Sequence, residues 1–381
     1  MQVSKSQKHM SFLRADIIKQ KHEKSCLKKC ISRENQCKDI DMSHPDQICR
    51  NVDVHGEILV VTWNINTCAL VENDLHAFFD KQIQQIQPKI IVFSLQEVSN
   101  AFFNFIPRKL QEYILYSNRL NDILDMDIIH KYFEEKSYAK IPAANLHSNN
   151  QLTVVYYKIG SIQIQKIYST VLTSNSKKTK GAMAISLEYK DPESADNKHV
   201  CFISAHLSAH SDHENNAFFN TRHKYFLKRV DEMYNLLQAC DIWYKKITNS
   251  TDKTFLPFNI ILEGDLNFRM ILDMQTTFFD EGGIILQDFE FEEIEKKFRQ
   301  TFKVQKNKTR HTKKNTDDFV KYDSSRQFAW TDRISFHNTP KKRFILKQKS
   351  YNILRQSKTV SDHLPVYSVF DFEVKSNTSS T

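Results

Sequence analysis

The stretch ILEGDLNFRM, residues 261–270, joins an apolar run directly to Asp265 and Asn267. A buried carboxylate or amide costs solvation free energy unless it meets a partner or a ligand. Residues i and i+2 of a strand point to the same side, so Asp265 and Asn267 can face one cleft. The stretch therefore predicts a buried strand whose end carries polar groups that face a partner or a ligand.

Further runs of strand length predict the rest of the fold. Runs rich in Val, Ile and Phe fit strands that are buried on at least one face. Between them, residues 219–237 place apolar side chains at helical spacing, which predicts a helix packed on the core. Some neighbouring runs are too close for a helical crossover, so we expect an α/β fold with two packed mixed β-sheets flanked by helices. The runs are ILVVTW (58–63), KIIVFSL (89–95), LTVVYY (152–157), HVCFISA (199–205), FNIILE (258–263) and PVYSVFDF (365–372), and the helical stripe is Phe219, Phe226, Val230, Met233 and Leu237.

Composition and charge narrow the class of protein. The chain has 381 residues, of which 40% are hydrophobic and 26% charged, as in globular proteins. Its formal net charge of +9 favours an anionic partner, such as nucleic acid, anionic lipid or a phosphorylated small molecule. The seven cysteines form no Cys-x-x-Cys pair, so reduced thiols are expected rather than a zinc site. With no apolar run near the roughly 20 residues that a membrane span needs, we expect a cytoplasmic protein that contacts membranes only peripherally.

Polar side chains follow four of the apolar runs and precede a fifth. Any one of these groups alone is more often a strand or turn cap than a functional group. Together they supply hard oxygen ligands and proton carriers, which favour Mg²⁺ over Zn²⁺. A divalent metal, carboxylates and His in one cleft indicate hydrolysis of a phosphate ester. The groups are Asn64 with Asn66, Gln96-Glu97, His206 with His210, Asp265 with Asn267, and Ser361-Asp362-His363.

The same residues resemble the motifs of the inositol polyphosphate 5-phosphatases, a family of the endonuclease/exonuclease/phosphatase superfamily. The resemblance covers about Ile58 to Val374 and implies a four-layer, deoxyribonuclease-like α/β sandwich. It predicts a catalytic domain over residues 55–374, between a poorly structured basic extension (1–54) and a C-terminal tail (375–381). The motifs are WNIN (63–66), QE (96–97), HLSAH (206–210), GDLNFR (264–269), AWTDRI (329–334) and SDHLPV (361–366).

The resemblance also implies a metal and a nucleophile. Glu97 would be the principal Mg²⁺ ligand, with Asn64 and Asp362 near the metal. Asp265 would orient and deprotonate the attacking water. Asn267 would hydrogen-bond the phosphate oxygens as negative charge shifts in the transition state. No covalent enzyme intermediate is implied, because water attacks in line.

Histidines and basic residues complete the implied site. His363 would contact the phosphoryl group, and Asp332 would fix its ring, because a carboxylate behind an imidazole sets its tautomer and charge. His206 would make a second phosphate contact. Seven further side chains are predicted to bind substrate or support its binding: Asn66, His210, Lys180, Arg269, Lys303, Arg326 and Arg333.

Departures from the family pattern fall on the substrate loops. Phe328 stands where proline normally precedes the AW of its motif, and Phe302 replaces a tyrosine. SNSKKT (174–179) replaces a glycine-rich loop, and Leu364 stands where Lys or Arg is usual. The resemblance thus implies a Mg²⁺-dependent phosphatase for the 5-phosphate of phosphoinositides, soluble inositol polyphosphates, or both. A nuclease of the same superfamily and a catalytically weak phosphoinositide-binding module are the alternatives, and oligomeric state stays open.

Overall fold

A computed structural model describes most of the predicted domain. The described residues are 55–66, 72–98, 126–141, 146–148, 150–174, 180–209, 220–268, 270–272, 278–293, 331–339, 342–354, 361 and 363–375. Most of them belong to one compact unit, residues 53–270 and 280–381, and residues 271–279 fall in a second unit. The predicted extension (1–54) lies outside the described residues, as does the predicted tail apart from residue 375. Their predicted boundaries stay predictions.

The described residues form fourteen strands and four helices. The strands are β1 (Ile58–Asn64), β2 (Ile90–Gln96), β3 (Tyr138–Lys140), β4 (Leu146–Ser148), β5 (Gln151–Lys158), β6 (Gln163–Ser174), β7 (Gly181–Lys190), β8 (Lys198–His206), β9 (Ile260–Asp265), β10 (Met270–Leu272), β11 (Phe278–Asp280), β12 (Asp332–His337), β13 (Phe344–Ile353) and β14 (Val366–Val374). The helices are α1 (Glu72–Ile86), α2 (Met126–Glu135), α3 (Asn220–Thr248) and α4 (Glu281–Asp288). None of these helices combines the length and apolar character needed to cross a membrane.

The strands form two large mixed sheets, as predicted. The first has the order β13-β14-β1-β2-β5-β3, with β4 also paired to β5. The second has the order β12-β9-β8-β7-β6, and β10 pairs with β11 separately. Each large sheet contains one parallel pair, β1 with β2 and β8 with β9, among antiparallel neighbours. The parallel pairs matter for function because they bring the carboxyl ends of their strands to one edge.

Alternation along β1 explains why the sheets stack. Leu59, Val61 and Trp63 pack in one cluster with side chains of α1 and α2. Ile58 and Val60 point the other way and pack in a second cluster with strands of the second sheet. A strand with two buried faces reads as a continuous apolar run, which is the pattern of ILVVTW. The helices therefore cover one face of the first sheet, and the second sheet covers the other.

Helix α3 supplies the fourth layer. Val230, Met233 and Leu237 of the predicted stripe are at most 5% exposed, which confirms that this part of the stripe is core packing. The Sγ atom of Cys240 in α3 lies 4.0 Å from that of Cys201 in β8, so the helix packs on the second sheet. The side chains of residues 219 and 226 lie outside the described part of the chain. The order helices, sheet, sheet, helix confirms the predicted four-layer sandwich.

Candidate active site

The ends of three adjacent strands bring polar side chains together in the second sheet. His206 ends β8 and is the register partner of Asp265, which ends the parallel strand β9. Asp332 begins β12 and is the antiparallel partner of the same Asp265. Residues in register lie on the same face of a sheet, so these three side chains form one row. All three are at most 2% exposed.

A hydrogen bond connects this row to the first sheet. The Nδ2 atom of Asn64, at the end of β1, donates to Asp265 Oδ2 at 2.9 Å. The Oδ1 atom of Asn64 accepts from the backbone N–H of Asn66 at 2.9 Å. Both ends of the Asn64 amide are thus engaged in positioning protein groups. The predicted role of Asn64 near a metal stays a prediction, whereas its hold on Asp265 is a property of the structure.

The charged groups around Asp265 determine the pKa of its carboxyl. Burial alone would raise the pKa of its carboxyl, but the hydrogen bond with His206 and the charges of His363, His206 and Lys180 outweigh burial. The resulting pKa lies well below the usual range of an aspartate. Its Oδ1 also accepts from the backbone N–H of Asn267 at 3.1 Å. Asp265 is therefore ionised and fixed in direction at neutral pH.

The ring of His363 is held by a carboxylate, as the resemblance implies. Its Nδ1 lies 2.8 Å from Asp332 Oδ2, which also accepts from the Thr331 hydroxyl at 2.9 Å. Its backbone N–H donates to Ser361 Oγ at 3.1 Å, and its carbonyl accepts from Trp63 Nε1 at 3.1 Å. A ring oriented by a carboxylate and by its own backbone has a fixed tautomer and direction. This arrangement suits a contact with a phosphoryl group.

Glu97 and Lys180 lie beside the Nε2 atom of His206. The Oε1 atom of Glu97 is 3.6 Å from His206 Nε2 and 3.7 Å from Lys180 Nζ. Lys180 Nζ also contacts His206 Nε2, which is 3.4 Å from Asp265 Oδ2. Burial and the Lys180 charge lower the pKa of His206 below its ordinary value. These contacts bring the Glu97 and Asp265 carboxylates to within 3.6 Å of the same ring nitrogen, His206 Nε2.

Three of the predicted site residues have left-handed backbone conformations. The φ angles are 48° at Asn66, 54° at Glu97 and 55° at Asn267. Asparagine tolerates this region, but a glutamate there is uncommon. Conformations of this kind persist where the surroundings hold them, and they cluster at functional sites. Here, the turn at Asn267 is held by its Nδ2, which donates to the Leu207 carbonyl at 2.9 Å.

The donor set of the cleft fits a divalent cation. One ligand atom each from Asp265, Asp332 and His363 lies within 4.8 Å of the others, which is close enough to hold a metal ion. Glu97 adds a carboxylate whose side chain is one third exposed and so is accessible to solvent. Carboxylate oxygens are the ligands that hard cations prefer. A divalent metal is therefore compatible with the residues present.

The remaining predicted residues divide into two groups. The side chain of Arg333 is fully buried, and its Nη1 pairs with Glu293 Oε2 at 3.0 Å. It thus takes part in a buried ion pair, and its predicted contact with substrate stays a prediction. Five predicted residues lie outside the described part of the chain, and their roles stay predictions: Asp362, His210, Arg269, Lys303 and Arg326.

Sequence reasoning gave no individual role to three residues that build the site. The Ser361 hydroxyl donates to the Asn64 carbonyl at 2.7 Å and so fastens the segment before β14 to the end of β1. Gly264 has a φ of +129°, and a Cβ there would lie 2.0 Å from the Ala205 carbonyl oxygen. Thr331 supports Asp332, as described above. Each lies directly beside a predicted residue, so adjacency to the motifs was the available signal.

The fold is a two-sheet sandwich with a row of carboxylate and imidazole groups at one edge. The sequence pattern of Endonuclease/Exonuclease/phosphatase family 2 matches residues 61–369, and the chain belongs to this family. Among curated proteins, none matches the chain.

Solved structures share the fold at low identity. The inositol polyphosphate 5-phosphatase domain of SPSynaptojanin, in complex with inositol (1,4)-bisphosphate and calcium ion, is 19% identical with a TM-score of 0.53. That alignment covers 84% of this chain and 85% of the other. A Cimex nitrophorin, solved as a ferrous NO complex, is 18% identical with a TM-score of 0.51, covering 83% and 97% of the two chains. One fold thus accompanies quite different ligands, so the site and not the fold has to indicate function.

Proposed function

We propose that the protein is a Mg²⁺-dependent phosphatase that removes the 5-phosphate from phosphoinositides, from soluble inositol polyphosphates, or from both. The observation that carries the proposal is the cluster in which Asp265, the Asp332–His363 pair and Glu97 meet. Family membership and the inositol bisphosphate bound by the SPSynaptojanin domain support this substrate class. The net charge of +9 suits a polyanionic substrate.

Each residue of the cleft has a separate role in hydrolysis. Asp265 accepts a hydrogen bond from the attacking water and directs its lone pair at phosphorus. Because the pKa of Asp265 is low, proton transfer to it becomes favourable only as the new P–O bond forms and the water becomes acidic. Asn267 and the imidazole of His363 bind the phosphate oxygens, where negative charge shifts during the reaction. A divalent cation held through Glu97 would add Lewis-acid stabilisation of the transferred and leaving oxygens.

Asp332 and Asn64 act through other residues. Asp332 holds the ring of His363 in one direction, because its Oδ2 lies 2.8 Å from the Nδ1 atom of the ring. Asn64 fixes the direction of Asp265 through the 2.9 Å hydrogen bond. Such fixed dipoles and hydrogen bonds lower the barrier because they need no rearrangement as the reaction proceeds. We expect a cytoplasmic location, with peripheral contact at anionic membranes.

Phosphate release with Mg²⁺ tests the proposal. The assay compares phosphatidylinositol 4,5-bisphosphate in vesicles, a soluble inositol polyphosphate and a labelled oligonucleotide. Release from an inositol substrate, lost in Asp265→Asn and in the presence of EDTA, is the expected result. Cleavage of the oligonucleotide alone would favour the nuclease alternative. Vesicle binding without turnover of any substrate would favour the lipid-binding alternative.

A further inference from the structure

The space between the two large sheets changes from apolar to polar toward the cleft. Its middle is lined by Ile58, Val60, Phe202 and Ile261, which pack in one cluster. Two residues further along each strand, the same inward positions are polar. This polar layer consists of Thr62, Ser94 and Thr153 from the first sheet and Ser204 and Glu263 from the second, all at most 2% exposed.

Glu263 is the carboxylic member of this polar layer, and it is fully buried. The Ser94 hydroxyl lies 2.5 Å from its Oε1. Its Oε2 has no hydrogen-bond partner among the described residues. Burial raises the pKa of Glu263 to about 8, with the Ser94 hydrogen bond opposing the rise, so the group is largely a neutral acid at pH 7. A buried carboxyl with one partner is a costly substitute for an apolar side chain of the same volume.

The position of the Glu263–Ser94 hydrogen bond suggests what it does. Glu263 lies in β9 two residues before Asp265, and Ser94 lies in β2 three residues before Glu97. Ser94 Oγ is also 3.1 Å from Thr153 Oγ1 of β5. The bond therefore joins the two strands that position the Asp265 and Glu97 carboxylates, one layer beneath them. The Asn64–Asp265 bond joins the same two sheets at the cleft itself.

We propose that Glu263 is a positioning residue: its hydrogen bond to Ser94 sets the spacing of β9 against β2, and hence the distance between the Asp265 and Glu97 carboxylates. The inference rests on the proposed function for its catalytic readout and goes beyond it in assigning a role to a residue that cannot touch substrate. A displacement of about 1 Å between catalytic groups can lower turnover about a hundredfold. The Glu263–Ser94 hydrogen bond thus affects turnover through the spacing of the catalytic groups.

Four variants separate positioning from packing. Glu263→Met removes the carboxyl but keeps the volume, and it leaves Ser94 its contact with Thr153. Glu263→Gln keeps a hydrogen-bond acceptor for Ser94. Ser94→Ala removes the other partner. Ser204→Ala is the matched control, because Ser204 is the register partner of Glu263 and its Oγ has no hydrogen-bond partner among the described residues.

Each full-length variant is measured for melting temperature, kcat and KM on the best substrate, and Mn²⁺ affinity by calorimetry. We expect Glu263→Met to melt no lower than the wild type, yet to lose about tenfold to a hundredfold in kcat with KM within about twofold. Mn²⁺ binding should weaken in the same variant. Glu263→Gln should restore kcat to within about threefold of the wild type, and Ser204→Ala should match the wild type in every measurement.

Wild-type kcat and Mn²⁺ affinity in Glu263→Met would overturn the inference, as would an equal loss in Glu263→Gln. If Glu263→Met does not fold, the same measurements on Ser94→Ala decide, and unchanged kcat and Mn²⁺ affinity there would overturn it. If the wild type hydrolyses no phosphate ester, the proposed function fails, while the Mn²⁺ affinities of the variants still test the inference. A wild type that hydrolyses no phosphate ester and binds no Mn²⁺ would overturn both the proposed function and this inference.

Discussion

Replacing Gly264 with alanine should damage both stability and catalysis. The backbone at Gly264 has a φ of +129°, and an added Cβ would lie 2.0 Å from the carbonyl oxygen of Ala205 and 2.9 Å from its carbonyl carbon. Both atoms belong to the backbone of β8, so no side chain can move aside to make room. The two parallel strands would have to separate at the residues that immediately precede His206 and Asp265.

The expected loss of stability has two parts. An alanine at positive φ costs about 1–3 kcal/mol in strain. Displacing β8 from β9 adds a loss of packing and strand hydrogen bonds, so the total should be on the order of 4 kcal/mol or more. Gly160 provides the matched control, because its φ is +80° and nothing lies within 4 Å of an added Cβ. Gly160→Ala should therefore cost only about 1–2 kcal/mol.

Urea unfolding at 25 °C, followed by circular dichroism, measures both free energies. Turnover of the folded fraction of Gly264→Ala should fall about a hundredfold, because His206 Nε2 and Asp265 Oδ2 are only 3.4 Å apart and follow the two displaced residues directly. Equal destabilisation in the two alanine variants would refute the argument from the Ala205 contact. Wild-type turnover in Gly264→Ala would show that the site does not depend on this close approach of β8 and β9.

Three other predictions concern charge and metal. Asp332→Asn should lower kcat about a hundredfold or more, because an amide holds the ring of His363 less firmly than a carboxylate does; steady-state kinetics that match the wild type would contradict this. EDTA should abolish activity and Mg²⁺ restore it, and Mg²⁺ should raise the melting temperature of the wild type but less so that of Glu97→Gln, since a ligand that binds the folded state stabilises it. The pKa of Glu263 is raised to about 8 in the folded protein, so its contribution to stability is present below the unfolded pKa of about 4.3 and is lost as pH rises through 8, by up to about 5 kcal/mol. Glu263→Gln should flatten the unfolding free energy between about pH 5 and 8, and an unchanged slope would contradict the shift.

The fold was predictable because several of its strands are continuous apolar runs in the sequence. ILVVTW and HVCFISA are continuous apolar runs, and both proved to be interior strands with parallel neighbours. The polar residues at their ends then had to converge, because parallel strands end at one edge. Asp265 and His206 are accordingly register partners. Periodicity and strand direction were sufficient for this much.

Partners across the fold were not predictable in the same way. Arg333 was assigned to the site through the family resemblance. Successive strand residues point to opposite faces, and its side chain pairs with Glu293, a partner that the sequence did not indicate. Glu263 was treated as part of an apolar run, although it is a buried acid with a partner in the other sheet. Only the packing of the two sheets reveals Ser94 as that partner.

The end of the sandwich opposite the cleft shows what a purely structural charge cluster looks like. Lys198 Nζ donates to both Glu57 oxygens, at 3.0 and 2.8 Å, and to Asp191 Oδ2 at 2.7 Å. Lys89 contacts Asp191 as well. Two formal positive charges face two negative ones, and the pKa of Asp191 is lowered because its hydrogen bonds with the two lysines outweigh burial. A balanced cluster of this kind needs no further ion.

The cleft end is built differently, and the difference argues for a cation. Glu97, Asp265 and Asp332 contribute three formal negative charges there, against the ammonium of Lys180 and the charge of the His363 ring, while burial and that same ammonium keep the pKa of His206 low. Like charges held this close repel, so the arrangement is costly without a compensating ion. An anionic phosphate would also be repelled by such a site. A divalent cation removes both problems, because it neutralises the carboxylates and attracts the phosphate to the same place.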